Sequence, residues 1–212
     1  SQHWRLVSAM VDAVRARWGE PDSGIWEIRG PRRHHVHTKA MCWLTATRAA
    51  EISDHLLGKE RPDLLELADT IRDEVLEHGW SDHHKSFVGA YDSAEMDASV
   101  LTIGLSGMID PRDDRFVRTV DAVERELRVK HGVYRYRCED GLPGVEGTFN
   151  ICTAWLIQSL AAIGRLDQAR DLLDAYVGLA GPTGLMSEEW DPDSGLALGN
   201  HPQAYSHLGL ID

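Results

Sequence analysis

The sequence predicts an all-α protein. Apolar residues recur at three- and four-residue steps through most of the 212 positions. Glycine and proline punctuate those runs where helices should stop and start. No strand-like alternation appears, save a short extended piece around Val133 to Tyr136.

Trp4, Val7, Val11, Val14 and Trp18 mark a first amphipathic helix, stopped by Gly19 and Pro21. A second runs from Thr38 to Leu57, with Met41, Leu44, Ala49, Ile52 and Leu56 as its stripe and Gly58 as C-cap. Pro62 opens the third, with Leu64, Leu67, Ile71 and Val75 inward and Gly79 at its end. Asp92 with Glu95 reads as a capping box for a fourth, ending near Leu105. Pro111 starts a fifth, whose inward face is Phe116, Val120, Val123 and Leu127 and which Gly132 closes. Thr148–Ile163 and Leu166–Leu179 follow, and Pro202 opens a last helical stretch.

About eight helices in antiparallel succession result. Short connections (Gly58–Arg61, Ser106–Asp110, Gly164–Arg165) alternate with long ones (Pro21–His37, Trp80–Tyr91, Val133–Gly147, Gly181–His201). Hairpins joined this way stack as a solenoid or close as a barrel of paired helices, and either puts the long loops at one end, where a ligand site is built. The absence of a fixed-period repeat weighs against a solenoid.

Acidic residues outnumber basic ones by 34 to 22, a formal charge of -12. That disfavours nucleic acid and anionic membrane as partners and fits a neutral substrate. No apolar run approaches membrane-span length. Cys42, Cys138 and Cys152 show no zinc-like spacing, and with no signal peptide in view the expectation is a reduced, cytoplasmic protein. His34, His35 and His37 invite a metal reading, but adjacent histidines share no helical face and no carboxylate stands at ligand spacing. No metal or cofactor is expected.

The loop Gly24-Ile25-Trp26-Glu27-Ile28-Arg29 carries a carboxyl beside a large ring. An apolar neighbour disfavours the ionised form and suits a carboxyl to donating a proton. The plain alternative is a core tryptophan with Glu27 paired to Arg29. A second acidic loop, Ser187-Glu188-Glu189-Trp190-Asp191, again sets carboxylates beside an indole. Two carboxyls in different environments are what glycoside hydrolysis needs, one protonated and one ionised. Arg135, Tyr136, Arg137, Glu139, Asp140 and Glu146 make the irregular stretch between Val133 and Gly147 another reservoir of functional groups.

Taken together, Pro21–Gly30, His37–Trp43, Met96–Ser99, Asp140–Phe149, Gly184–Glu189 and Gly199–Leu208 resemble, in order, the C-terminal two-thirds of the catalytic domain of glycoside hydrolase family 15, the glucoamylase-like family, in its bacterial branch. The resemblance implies an (α/α)6 barrel of six hairpins, of which residues 1–212 form one all-α portion with about eight of twelve helices, incomplete on the N-terminal side. It implies inverting, exo-acting hydrolysis of an α-glucoside (a dextrin, an isomaltose-type sugar or trehalose) with release of β-glucose. Glu27 would be general acid and Glu188 general base, with the carboxyls roughly 6.5–9.5 Å apart. Arg135, next to Tyr136, matches a sugar-binding arginine, with Trp26, Glu189 and Trp190 as further sugar contacts. In the family, the part that would precede Ser1 carries an Arg-Asp pair that holds the terminal glucose. A fragment of this kind is expected to act weakly alone and to expose apolar helix faces at Trp4, Val7, Val11 and Val14 and at Tyr205, Leu208 and Leu210. Such faces lead to a homo-oligomer or to association with the N-terminal segment. The competing readings are an inactive truncated hydrolase and a non-catalytic helical scaffold.

Overall fold

A computed structural model describes residues 2–138 and 146–211. Glu139 and Asp140, and most of the Asp140–Phe149 stretch, lie outside the described residues. The described chain is helical: α1 (Gln2–Arg17), α2 (Val36–Leu57), α3 (Pro62–His78), α4 (Thr102–Leu105), α5 (Asp114–Leu127), α6 (Asn150–Ala162), α7 (Leu166–Gly178) and α8 (Ala204–Ile211). These are hairpins of the (α/α)6 type, and among the described residues they do not close into a barrel.

Each helix follows from its sequence. α3 begins with Pro62 in its first turn and buries Leu64, Ala68, Ile71 and Val75, one residue per turn. α2 ends at Gly58, whose left-handed φ of 60° lets its N–H reach Asp54 O while Lys59 N bonds Ser53 O. The face of α2 toward the core carries the small residues Ala40, Ala46, Ala49 and Ala50, so α3 packs along it. α6 is buried nearly all round, as a helix apolar on every side must be, and packs on α7, α8 and the 3-10 turn Ala98–Leu101. Lys39 is fully buried in α2 and donates through Nζ to Trp18 O and Glu20 O, tying the chain beyond α1 to the second helix.

Three boundaries differ from the sequence expectation. The fourth helical stretch does not start at Asp92. It starts at Asp97, which caps the 3-10 turn by accepting from Ser99 N at 2.8 Å, because a fully buried carboxylate needs donors and Asp92 has solvent. α5 begins at Asp114 with Asp113 as its cap, and Pro111 sits in the preceding turn. α8 begins two residues after Pro202.

Among the described residues, seven two-residue strands accompany the helices: β1 (Trp80–Ser81), β2 (Ser86–Phe87), β3 (Arg128–Val129), β4 (Gly132–Val133), β5 (Thr148–Phe149), β6 (Glu189–Trp190) and β7 (Ala197–Leu198). β1 pairs with β2 and β3 with β4 as hairpins, and β5-β6-β7 form an antiparallel sheet. Two residues are too few to show alternation in a sequence.

The expected open face on α1 is corrected. Val11 is buried with Ala49, Ala50 and Leu64, and Val7 packs against that cluster, so this stripe faces α2 and α3. The exposed apolar residues of α1 are Leu6 (65%) and Met10 (51%), on the other side. On α8, Tyr205 and Leu208 are exposed but line a cavity, described below.

The packing of α4 against α5 yields a stability prediction. A Cβ on Gly104 would sit 2.3 Å from Phe116 Cζ, and Phe116 is fully buried. Gly104→Ala should destabilise the fold by about 1–3 kcal/mol, the usual penalty of an overpacked core. Thermal unfolding measures it, and an unchanged melting temperature would mean that the ring moves aside freely.

Candidate active site

Three of the four long connections meet at one cavity of about 660 Å³. Residues 21–37 bring Trp26 and Glu27, residues 133–147 bring Arg135, and residues 181–201 bring Glu188 and Glu189. Phe149 at the end of β5 and Ile151 and Trp155 of α6 add to the lining, as do Gln203 just before α8 and Tyr205 and Leu208 within it. The lining thus mixes aromatic faces with three carboxyls and one guanidinium. This is the composition of a pocket for a polar ring with apolar faces.

The Trp26–Glu27 loop is a tight turn. Gly24 N donates to Asp22 Oδ1 at 2.5 Å, Glu27 N bonds Gly24 O at 3.3 Å, and Ile28 N bonds Ser23 O at 3.1 Å. Glu27 takes a left-handed φ of 51°, rare outside glycine. Its side chain is exposed and has no hydrogen bond or ion pair among the described residues, so the pairing with Arg29 that the plain alternative called for is not formed. Trp26 is half-buried, packed edge-on to Phe149 with ring centres 5.6 Å apart and tilted against Trp155 at 6.1 Å. Its indole N–H reaches both oxygens of Asp97, at 3.0 and 2.9 Å.

Glu188 is held differently. Oε2 accepts from the backbone N–H and the side-chain amide of Asn200, both at 3.0 Å, and Oε1 accepts from Gln203 Nε2 at 3.2 Å. Gly199 permits this approach: a Cβ there would stand 2.7 Å from Glu188 Oε2, and its φ is +70°. The Glu188 carbonyl in turn accepts from Asn150 N at 3.0 Å, fixing the residue to the first turn of α6. Three donors thus converge on one carboxylate and hold both its oxygens in place.

Glu189 accepts from Gly147 N at 2.9 Å. Burial pushes its pKa above the ordinary value, the Glu146 and Glu188 charges add to that, and the Gly147 bond and Arg135 oppose it. Arg135 makes a paired contact with Glu146, through Nε at 2.8 Å and through Nη2. Its guanidinium lies 4.7 Å from the Tyr136 ring centre, 4.8 Å from Phe149 and 5.7 Å from Trp26.

Five of the seven residues singled out from sequence therefore line one cavity: Trp26, Glu27, Arg135, Glu188 and Glu189. Tyr136 and Trp190 do not. Neighbouring residues on extended chain point to opposite faces. Trp190 accordingly pairs with Thr148 on the far side of Glu189, whereas Tyr136, bridged to Asp97, lies against the Arg135 guanidinium and lines a smaller cavity of about 240 Å³. Sequence reasoning gave no role to Asp97, Asn200 and Gln203, and named Glu146 only among the functional groups of its stretch. All four lay inside or beside matching stretches, but only spatial contact with Trp26, Arg135 or Glu188 shows what they do.

The histidine run is packed as structure. His34 stacks on Tyr91 with ring centres 5.6 Å apart, His35 is buried and bridged to Ala90, and His37 lies 6.4 Å from Trp155. Burial lowers the His37 pKa to about 4 against the opposing charge of Asp22. Among the described residues, no group of three or more His, Cys, Asp or Glu side chains is placed to hold a metal.

The sequence pattern that defines glycosyl hydrolases family 15 matches residues 1–212. The chain belongs to that family. It is 38% identical over 213 residues to a trehalase of Mycobacterium tuberculosis, with 99% of this chain and 31% of that protein covered. It is also 38% identical over 210 residues to a trehalase of Thermoplasma volcanium, with 98% and 34% covered. The chain thus spans about a third of the length of these relatives. Among solved structures, it resembles a glycosidase at 25% identity and a TM-score of 0.78, over 95% of this chain and 56% of that one. It also shares the fold of a bacterial glucoamylase complexed with acarbose at a TM-score of 0.83 and 16% identity, over 99% of this chain and 37% of that one.

Glu189 gives a prediction about pH. An acid whose folded pKa is raised keeps its proton longer in the folded state. Its contribution to stability is full below the ordinary value of 4.5 and is lost as pH rises through the raised one. Glu189→Gln removes that loss while its amide oxygen still accepts from Gly147 N. The melting temperature of the variant relative to the parent should therefore be higher at pH 7 than at pH 3.5. A difference independent of pH would contradict the burial of this carboxyl.

Proposed function

We propose that the full protein is an exo-acting, inverting α-glucoside hydrolase that cleaves trehalose, with Glu27 as general acid and Glu188 as general base. The observation that carries this reading is one cavity lined by both carboxyls, one tethered and one free. Trehalose, rather than a dextrin or isomaltose-type sugar, is favoured by trehalase relatives at 38% identity along almost the whole chain.

The chemistry divides as the environments do. Glu188, anchored by Asn200 and Gln203, accepts a proton from a water whose oxygen attacks the anomeric carbon. Glu27 gives its proton to the glycosidic oxygen as the carbon–oxygen bond breaks. Arg135, braced by Glu146, offers a fixed cation at the cavity wall for a sugar hydroxyl. Trp26, Phe149 and Trp155 supply apolar faces for the ring. The volume of about 660 Å³ lies in the range of small-ligand sites.

Glu27→Gln and Glu188→Gln, made in the full gene product, should each lower trehalose turnover by at least about a hundredfold with melting temperatures unchanged. Near-parent turnover in either variant would sink the assignment. Hydrolysis in ¹⁸O-labelled water with ¹³C NMR of fresh product, where the label shifts the anomeric carbon that carries it, tests the stereochemistry. Inversion puts the label on β-glucose alone, and labelled α-glucose at early times would overturn it.

A further inference from the structure

Nothing on the Glu27 side chain itself fixes where its carboxyl points. It has no polar partner among the described residues, and it sits at a strained φ of 51°. Its orientation must come from its neighbours in the turn. Two side chains tie this turn to the rest of the fold: Asp22 Oδ1 accepts from Thr38 Oγ1 at 2.8 Å, and beside Glu27 itself the indole N–H of Trp26 reaches Asp97.

That tie ends on an unusually rigid acceptor. Asp97 is buried, and its Oδ1 also takes Ser99 N at 2.8 Å. Its backbone is bridged to Tyr136, and Ala98 N bonds Arg135 O at 2.9 Å. Behind it the chain passes so close that a Cβ on Gly89 would stand 2.8 Å from Asp97 Cβ. The carboxylate therefore has one position, set by the same stretch of chain that carries Arg135. A buried carboxylate costs several kcal/mol in principle unless donors satisfy it. Burial raises the Asp97 pKa, and the Ser99 and Trp26 bonds oppose that rise. An uncharged residue would avoid this cost at a merely structural position.

We infer that Asp97 is a positioning residue for the general acid: by accepting the Trp26 N–H with both carboxylate oxygens it fixes the indole, and through the indole the adjacent Glu27, relative to Arg135 and the cavity. The inference rests on the proposed role of Glu27. A carboxylate suits the task better than an amide. Both its oxygens accept, so the bifurcated bond sets the ring plane, whereas an amide would turn an N–H₂ toward the indole N–H.

The test separates proton donation from the rest of catalysis by changing the leaving group. An α-glucoside with a sugar leaving group needs a proton on the departing oxygen. In α-glucosyl fluoride, water attacks the anomeric carbon and the carbon–fluorine bond breaks with fluoride leaving as the anion. Water's proton goes to the base, and no acid is required at the leaving group. Glu27→Gln is the reference and should lose turnover on trehalose far more than on the fluoride. Asp97→Asn should show the same split, with kcat on trehalose down by about tenfold to a hundredfold and KM and fluoride turnover within about threefold of the parent. Trp26→Phe removes the N–H while leaving Asp97 in place. If Asp97→Asn does not fold, Trp26→Phe, which also alters a sugar-facing ring and so lowers turnover on both substrates, should still lower trehalose turnover about tenfold further than fluoride turnover.

Equal loss on both substrates in Asp97→Asn, while Glu27→Gln still splits them, would overturn the positioning role and leave the assignment of Glu27 intact. No split in Glu27→Gln itself would remove the general acid, and the inference with it.

Discussion

Two residues of strand pairing decide where the cavity's groups stand. Thr148–Phe149 lies against Glu189–Trp190, and the same register carries Asn150 N to Glu188 O. α6 starts at Asn150 and is the most enclosed helix of the fold. The loop that carries Glu188 is thus fastened to the core by its backbone before any side chain contributes. Asn150 Nδ2 and Ser206 Oγ both donate to Ser187 O, at 2.8 and 2.7 Å, and Gln203 N bonds Met186 O at 2.9 Å. A long polar connection would ordinarily be mobile. Here its acidic end is locked between the first turn of α6 and the first turn of α8.

The helices were legible because each buries one stripe, and a stripe is a property of sequence. Leu64, Ile71 and Val75 or Phe116, Val120, Val123 and Leu127 could be read off without coordinates, while the fourth inward residue of α3 is Ala68 and not the expected Leu67. The two carboxylates were legible for a weaker reason, the order of matching stretches along the chain. Trp190 shows the limit of adjacency. An indole beside Glu189 looks like a platform beside a carboxylate. A strand, however short, turns consecutive side chains to opposite faces, and only Glu189 reaches the cavity. Tyr136 misses the cavity for another reason: its ring lies against the Arg135 guanidinium and lines the neighbouring, smaller cavity.

Asp97 was illegible for another reason. Asp97 and Ser99 in sequence describe a helix cap, and it is one. Its second bond runs to Trp26, 71 positions earlier, and no local pattern encodes it. The same holds for Glu146 with Arg135 and for Asn200 and Gln203 with Glu188. Each is polar, each sits beside a residue already singled out, and each looks solvated until the chain brings the two together. The first apolar stripe failed differently. Its spacing was right, and the error lay in assigning it to an open side of the fold when α2 and α3 already cover it.

The two carboxyls differ in a way that fits opposite tasks. A general base must hold still while water moves to it, and Glu188 has donors on both oxygens to anchor it. A general acid must arrive at the leaving oxygen with a proton still on it. Donors of that kind would favour its anion and oppose the task. Glu27 is without them. Precision there has to be supplied by a contact that does not touch the carboxyl, and the indole beside it, gripped at its N–H by a buried Asp97, is such a contact. The arrangement also explains why Arg135 and Trp26 approach within 5.7 Å though 109 residues separate them. The chain that carries Arg135 is hydrogen-bonded to the residue beside Asp97, so the cation and the indole are referenced to one anchor.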